Sequence, residues 1–116
     1  MPETHEIKRW VAYSTVGNQE KARELAAEFV RRGVVACVSM IGPVESTYQW
    51  QGKVVQEAEW MLMMKLVGSQ VAALQATMDE LHDYDVPELI FVPIEAGAEP
   101  YLAWMDNCAA QKGVVR

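Results

Sequence analysis

The chain has 116 residues, 51 % of them hydrophobic and 22 % charged, which suits one globular domain (1–116) with its own core and argues against wholesale disorder. The net charge is −6, and Lys and Arg are scattered, adjacent only as the pairs Lys8–Arg9 and Arg31–Arg32. Nucleic-acid binding needs clustered positive charge, so that class is excluded.

The opening MPETHEIKRW has no apolar stretch of the kind that begins a secretory signal. The densest apolar run, WMLMMKLVG (Trp60 to Gly68), is interrupted by Lys65, so no membrane span is expected. Cys37 and Cys108 lie too far apart for a CxxC site, and read as two reduced thiols of a cytoplasmic protein.

RWVAYST (Arg9 to Thr15) is short and β-prone and predicts a first strand. Asn18 then offers an N-cap. Ala22, Leu25, Ala26, Phe29 and Val30 follow at helical spacing, and Gly33 ends that helix. The apolar run VVACVSMI (Val34 to Ile41) predicts a strand buried on both faces. Gly42 and Pro43 interrupt it, as a bulge or the start of an edge segment, because proline has no N–H for the ladder. Extended sequence resumes at Val44, and Gln51 and Gly52 supply a tight turn after Trp50.

From Lys53 to Val67 nothing breaks the strand. Val54, Ala58, Trp60, Leu62, Met64 and Leu66 share one face, and Val55, Glu57, Glu59, Met61, Met63 and Lys65 share the other. Such a strand reaches about 50 Å, whereas a domain of this size has a radius of gyration near 13 Å, so the hairpin is expected to project. Projecting ribbons expose unpaired backbone groups, which predicts an oligomer whose copies take up each other's strands; the alternative is a strand kinked near Ala58 with both pieces inside one monomer.

Ser69 is placed as the cap of a second helix carrying Val71, Leu74, Met78 and Leu81 on one face. PELIFVPI (Pro87 to Ile94) predicts a last strand with Pro93 at an edge or bulge. Pro100 opens a final helix with Tyr101, Trp104, Met105 and Cys108 on one face, closed by Lys112 and Gly113. Residues 1–8 and 112–116 read as loosely ordered tails. The order β-α-β-β-α-β plus a C-terminal helix predicts a ferredoxin-like α+β sandwich, an antiparallel sheet with helices on one face and a long central hairpin.

VACVSMI, the aromatic hairpin TYQWQGKV, Glu57 and Glu59, Lys65, HDYDVPELI, and Tyr101 with Trp104 together resemble the CutA divalent-ion-tolerance proteins, from about Val11 to Trp104. The resemblance implies a tight homotrimer of ferredoxin-like protomers, associated with divalent-metal tolerance and copper binding. In some bacterial members of that family a Cys late in the first strand and a His-His pair are read as copper ligands. Here Ser14 and Leu81 stand at two of those positions and only His82 matches.

The candidate metal ligands are therefore His82 with the hard oxygens of Asp83 and Asp85, then Glu59, and Cys37 if its thiol is reachable. A divalent cation, Cu or Zn, is the cofactor expected from this set. Glu57 and Glu59 are read either as cation ligands or as partners of Lys53 or Lys65. Tyr84, Glu88, Ser14 and Lys65 are expected to line an intersubunit cleft. The function implied is a cytoplasmic, non-enzymatic, metal-binding trimer. The alternative is a signalling or scaffold trimer resembling PII proteins that binds a small effector in that cleft. No P-loop, GxGxxG or HExxH motif is present to suggest an enzyme.

Overall fold

Residues 7–110 are described by the computed structural model. The helix closure expected at Lys112 and Gly113, and the tails apart from Ile7 and Lys8, lie outside them. The elements run β1 (Arg9–Val16), α1 (Gln19–Arg31), β2 (Cys37–Trp50), β3 (Lys53–Val67), a single 3₁₀ turn at Gly68–Gln70, α2 (Val71–Leu81), β4 (Ile90–Pro93) and α3 (Glu99–Ala110). The sheet has four strands in the order β2-β3-β1-β4, every neighbour antiparallel. This is the ferredoxin-like arrangement expected, with β3 inserted between β1 and β2.

Local chemistry sets most boundaries. The Asn18 side chain accepts the Lys21 N–H at 2.7 Å and starts α1. Gly33, at φ 73°, ends it. The Val34 N–H reaches the Phe29 carbonyl at 3.1 Å and the Gly33 N–H reaches Val30 at 3.0 Å, the paired bonds of a Schellman cap. The start of α2 differs from expectation, because Ser69 makes no cap. The fully buried Gln70 side chain instead closes the 3₁₀ turn that precedes α2: its Oε1 accepts the Val67 N–H at 2.9 Å and its Nε2 donates to the Gly33 carbonyl at 2.9 Å. One side chain thus ties the end of α1 to the start of α2.

The core lies between the sheet and the helices α1 and α2. Ala12, Val16, Leu62, Met64 and Leu66 meet Leu25, Phe29, Leu74 and Met78 there. Burying each large side chain is worth about 1.5–3 kcal/mol. The continuous burial expected over Val34 to Ile41 belongs only to Val34, Val35 and Ala36, which precede β2; Ile41 is exposed. β2 is an edge strand, so one side of its ladder has no neighbour, and Pro43 is tolerated in it for the same reason.

α3 departs from the one-sided layout. Arg9 holds Asp106 through two bonds of 2.9 and 2.7 Å, and the Cys37 thiol lies 3.5 Å from the Tyr101 hydroxyl. Arg9 and Cys37 alternate with the core-facing residues, so α3 covers the opposite face of the sheet at one end. Of its apolar stripe only Met105 is fully buried.

β4 is shorter than expected. Pro87 to Leu89 stay outside the ladder, and Ile90–Pro93 pair with Tyr13–Trp10. The hairpin, by contrast, is continuous. Its turn residues Gln51 and Gly52 have φ of 52° and 80°, the double positive φ of a type I′ turn. The principal extents are 56 × 33 × 23 Å and the radius of gyration is 15.7 Å, above the value near 13 Å for a globule of this length. At the hairpin tip Trp50 is 62 % exposed and Val54 73 %.

Candidate functional site

A bulge decides which residues meet at the root of this hairpin. From Cys37↔Lys65 to Ile41↔Met61 the two strands pair in one register; from Val44↔Glu59 onward the offset has changed by one residue. The extra residue falls at Gly42–Pro43. Because strand side chains alternate with period two, that shift moves Ser46, Tyr48 and Trp50 onto the face that carries Val55, Glu57 and Glu59. Without it they would face the other way. Gly42 also needs its missing side chain, since a Cβ there would lie 2.7 Å from Trp60 Cδ1 and 3.2 Å from the Glu59 carbonyl.

β1 ends at Val16, opposite Trp60, while β3 continues outward past Glu59. The segment after α2 fills the space that opens beside β3. His82 turns inward: its Nε2 lies 2.8 Å from the Thr15 carbonyl, and its Nδ1 accepts the Tyr84 N–H at 3.0 Å. A carbonyl only accepts and an amide N–H only donates, so these partners assign the tautomer with the proton on Nε2. The His82 ring then supports Tyr84, the two rings 4.6 Å apart. Tyr84 passes over Gly17, where a Cβ would lie 3.0 Å from its hydroxyl, and donates to Glu59 Oε2 at 2.7 Å.

The result is a groove of about 1060 Å³ lined by carboxylates and aromatic rings. Glu57, Glu59, Asp85 and Glu88 supply the charge; Tyr48, Trp50 and Tyr84 supply the rings; among the described residues no Lys or Arg lines it. Glu59 is only 7 % exposed. The Tyr48 hydroxyl donates to Glu57 Oε1, which raises the Tyr48 pKa. Burial, then the bond to Glu59, raises that of Tyr84, so both phenols stay protonated donors at neutral pH. Burial, helped by the charge of Glu59, pushes the Glu88 carboxyl above the usual carboxylate range.

The residues singled out in sequence are divided among four places. Glu59, Asp85, Tyr84 and Glu88 line the groove. His82 is buried behind it with both ring nitrogens engaged, and exposed Asp83 lies beside it, 3.5 Å from Nδ1. Cys37 and Lys65 are opposite each other in the ladder, six residues along β3 from Glu59, about 20 Å away. Ser14 faces α2 on the other side of the sheet, its hydroxyl 3.9 Å from Met78 Sδ. Among the described residues no three His, Cys, Asp or Glu side chains converge on one point. Tyr48 and Trp50 were not singled out as site residues. Reading Gly42–Pro43 as a bulge, and counting alternation from the turn, places them with Glu57 and Glu59.

Fold and groove together define a ferredoxin-like α+β protein whose long hairpin carries an acidic, aromatic cleft that runs from its root toward its tip. Residues 10–108 match the family model described as CutA1 divalent ion tolerance protein. The chain belongs to that family. The protein CutA, chloroplastic, of Arabidopsis thaliana is 39 % identical over 97 residues, which cover 84 % of this chain and 53 % of the relative. The divalent-cation tolerance protein CutA of Thermus thermophilus is 36 % identical over 95 residues, covering 82 % and 92 %. The crystal structure of CutA1 from Oryza sativa matches with a TM-score of 0.85 at 39 % identity, over 87 % of this chain and 93 % of that one. This chain spans about half the length of the Arabidopsis relative. No described helix is long and apolar enough to cross a membrane.

Proposed function

We propose that this protein is a non-enzymatic, single-domain homotrimer that responds to divalent cations in the cytoplasm, and that cations act at the groove beside Glu59. The observation that carries the reading is a carboxylate nine-tenths buried, in a groove with three further carboxylates and, among the described residues, no basic one. A buried anion without a counter-charge is costly, and a bound cation removes that cost. Hard ions suit this donor set: oxygen ligands with retained water hold Mg²⁺, Mn²⁺ or Ca²⁺ without a full protein cage. Copper or zinc bound through imidazole requires His82 to leave Thr15 and the Tyr84 N–H. Both cysteines are free thiols, in keeping with a reducing compartment.

The trimer is supported by the projecting tip and by apolar residues on the face away from α1 and α2. Ile41, Ile90 and Val92 are exposed there, on the two edge strands, where another copy has both apolar surface and unpaired backbone to meet. Light scattering should give about three times the 13.0 kDa protomer mass. Calorimetry with Mn²⁺, Zn²⁺ and Cu²⁺ should show saturable binding that Glu59→Gln weakens and His82→Ala leaves in place. Equal binding by wild type and Glu59→Gln would remove the groove from the reading. The groove's size also favours a second reading, a PII-like trimer that takes a small effector at this cleft.

A further inference from the structure

The groove is far larger than a metal ion needs, and its acidic side chains are spread along it rather than converging. A cation held by protein ligands alone requires four or more donors within about 2.0–2.6 Å of one point. Glu57 and Glu59 are next neighbours on one face of β3, about 7 Å apart along the strand. Glu88 and Asp85 face them from the segment after α2. Tyr48, Trp50 and Tyr84 stand among the carboxylates, and two of those rings already donate their hydroxyls to Glu57 and Glu59.

Glu59 supplies the second, independent sign of a ligand. Its Oε2 takes the Tyr84 hydroxyl, and Oε1 has no donor and no Lys or Arg partner among the described residues. Among the described residues no side-chain nitrogen or oxygen is both sealed from solvent and unpartnered, so Oε1 opens onto the groove that Glu59 lines. Open to the groove, that atom can accept from water or from a charged N–H donor, which a quaternary ammonium lacks and a primary or secondary ammonium has.

We propose that the groove binds a linear organic polycation of the di- or polyamine class, with successive ammonium groups on Glu59, Glu57 and Glu88 and the methylene chain along Trp50, Tyr48 and Tyr84. Spaced carboxylates match spaced ammonium groups, and aromatic faces attract both the cations and the chain between them. The proposal rests on the groove being the cation-facing part of the molecule, and names a ligand class that fits it better than a bare ion.

The test titrates spermidine, and separately MnCl₂, into the full chain at about 0.15 M salt, where charges on the open surface are largely screened. Binding is followed by calorimetry and by Trp fluorescence. Spermidine should bind saturably, Glu59→Gln should weaken it about tenfold or more, and Trp50→Ala about threefold or more. Circular dichroism checks each variant's fold, and Glu88→Gln, at an exposed position, replaces Glu59→Gln if that variant does not fold. Saturable Mn²⁺ with silent spermidine would overturn the polyamine while leaving the divalent-cation reading intact; that outcome includes a groove occupied by a second copy of the chain. Silence of both overturns both. Spermidine binding unchanged by all three substitutions would mean diffuse attraction to the net charge of −6, and would also overturn the proposal.

Discussion

Tyr84→Phe removes a single hydroxyl and nothing else from the groove. In the native chain that hydroxyl donates to Glu59 Oε2 at 2.7 Å, and Glu59 is 7 % exposed. A hydrogen bond to a charged group contributes about 1.5–3 kcal/mol, and the loss leaves a buried carboxylate oxygen without its donor. The phenyl ring keeps its tilted contact with His82, so no packing is lost. The groove is open enough for water to replace part of the interaction, which sets the expected cost near the lower end, about 1.5–2 kcal/mol. Urea denaturation followed by Trp fluorescence measures it, at one fixed protein concentration because association couples to stability. The midpoint should fall while the slope is unchanged. In a Glu59→Gln background the same substitution should cost about 1 kcal/mol less, the coupling expected of a direct charged contact. A Tyr84→Phe protein within about 0.5 kcal/mol of wild type, or an equal cost in both backgrounds, would refute the reasoning.

Leu62→Ala empties a fully buried position on β3 and should cost about 2–5 kcal/mol in the same assay. Gly42→Ala should lower the midpoint and alter the Trp fluorescence, because the new Cβ meets Trp60 and the Glu59 carbonyl on the strand that sets the bulge; an unchanged spectrum and midpoint would show that the bulge has slack. Bonds from Arg31, then Arg32, lower the Glu28 pKa, so its stabilisation is present above the unfolded carboxylate pKa and is lost as pH falls through the folded one. Glu28→Gln should therefore remove part of the loss of stability on the acid side. Glu88 has the opposite sign: burial, then Glu59, raises its pKa, so folding favours the protonated form and stability declines as pH rises through the usual carboxylate range to the raised value. Glu88→Gln should flatten that decline, which pH-dependent denaturation midpoints will detect.

Much of this molecule is legible in one dimension. Asn18 and Gly33 bracket α1 because a side-chain oxygen and a left-handed residue satisfy the orphaned groups at a helix's two ends. Alternation along Lys53 to Val67 gives one long strand with Leu62, Met64 and Leu66 inward. These are local rules acting within a few residues. Expectations failed where a distant partner took over: Gln70 displaced Ser69 because it reaches Gly33 across the fold, and β4 shortened where the chain bends to bring Tyr84 to Glu59.

The candidate site followed the same division. Residue type and order marked Glu57, Glu59, Tyr84 and Glu88 as chemistry, and the unbroken run from Lys53 to Val67 marked the long hairpin. Only the folded chain decided that Cys37 and Lys65 lie about 20 Å from Glu59, that His82 spends its nitrogens on backbone, and that Tyr48 and Trp50 join the carboxylates. Strand alternation has a period of two, so one extra residue at Gly42–Pro43 reassigns a whole face. Which donors then meet across that face depends on the contacts of segments far apart in the chain.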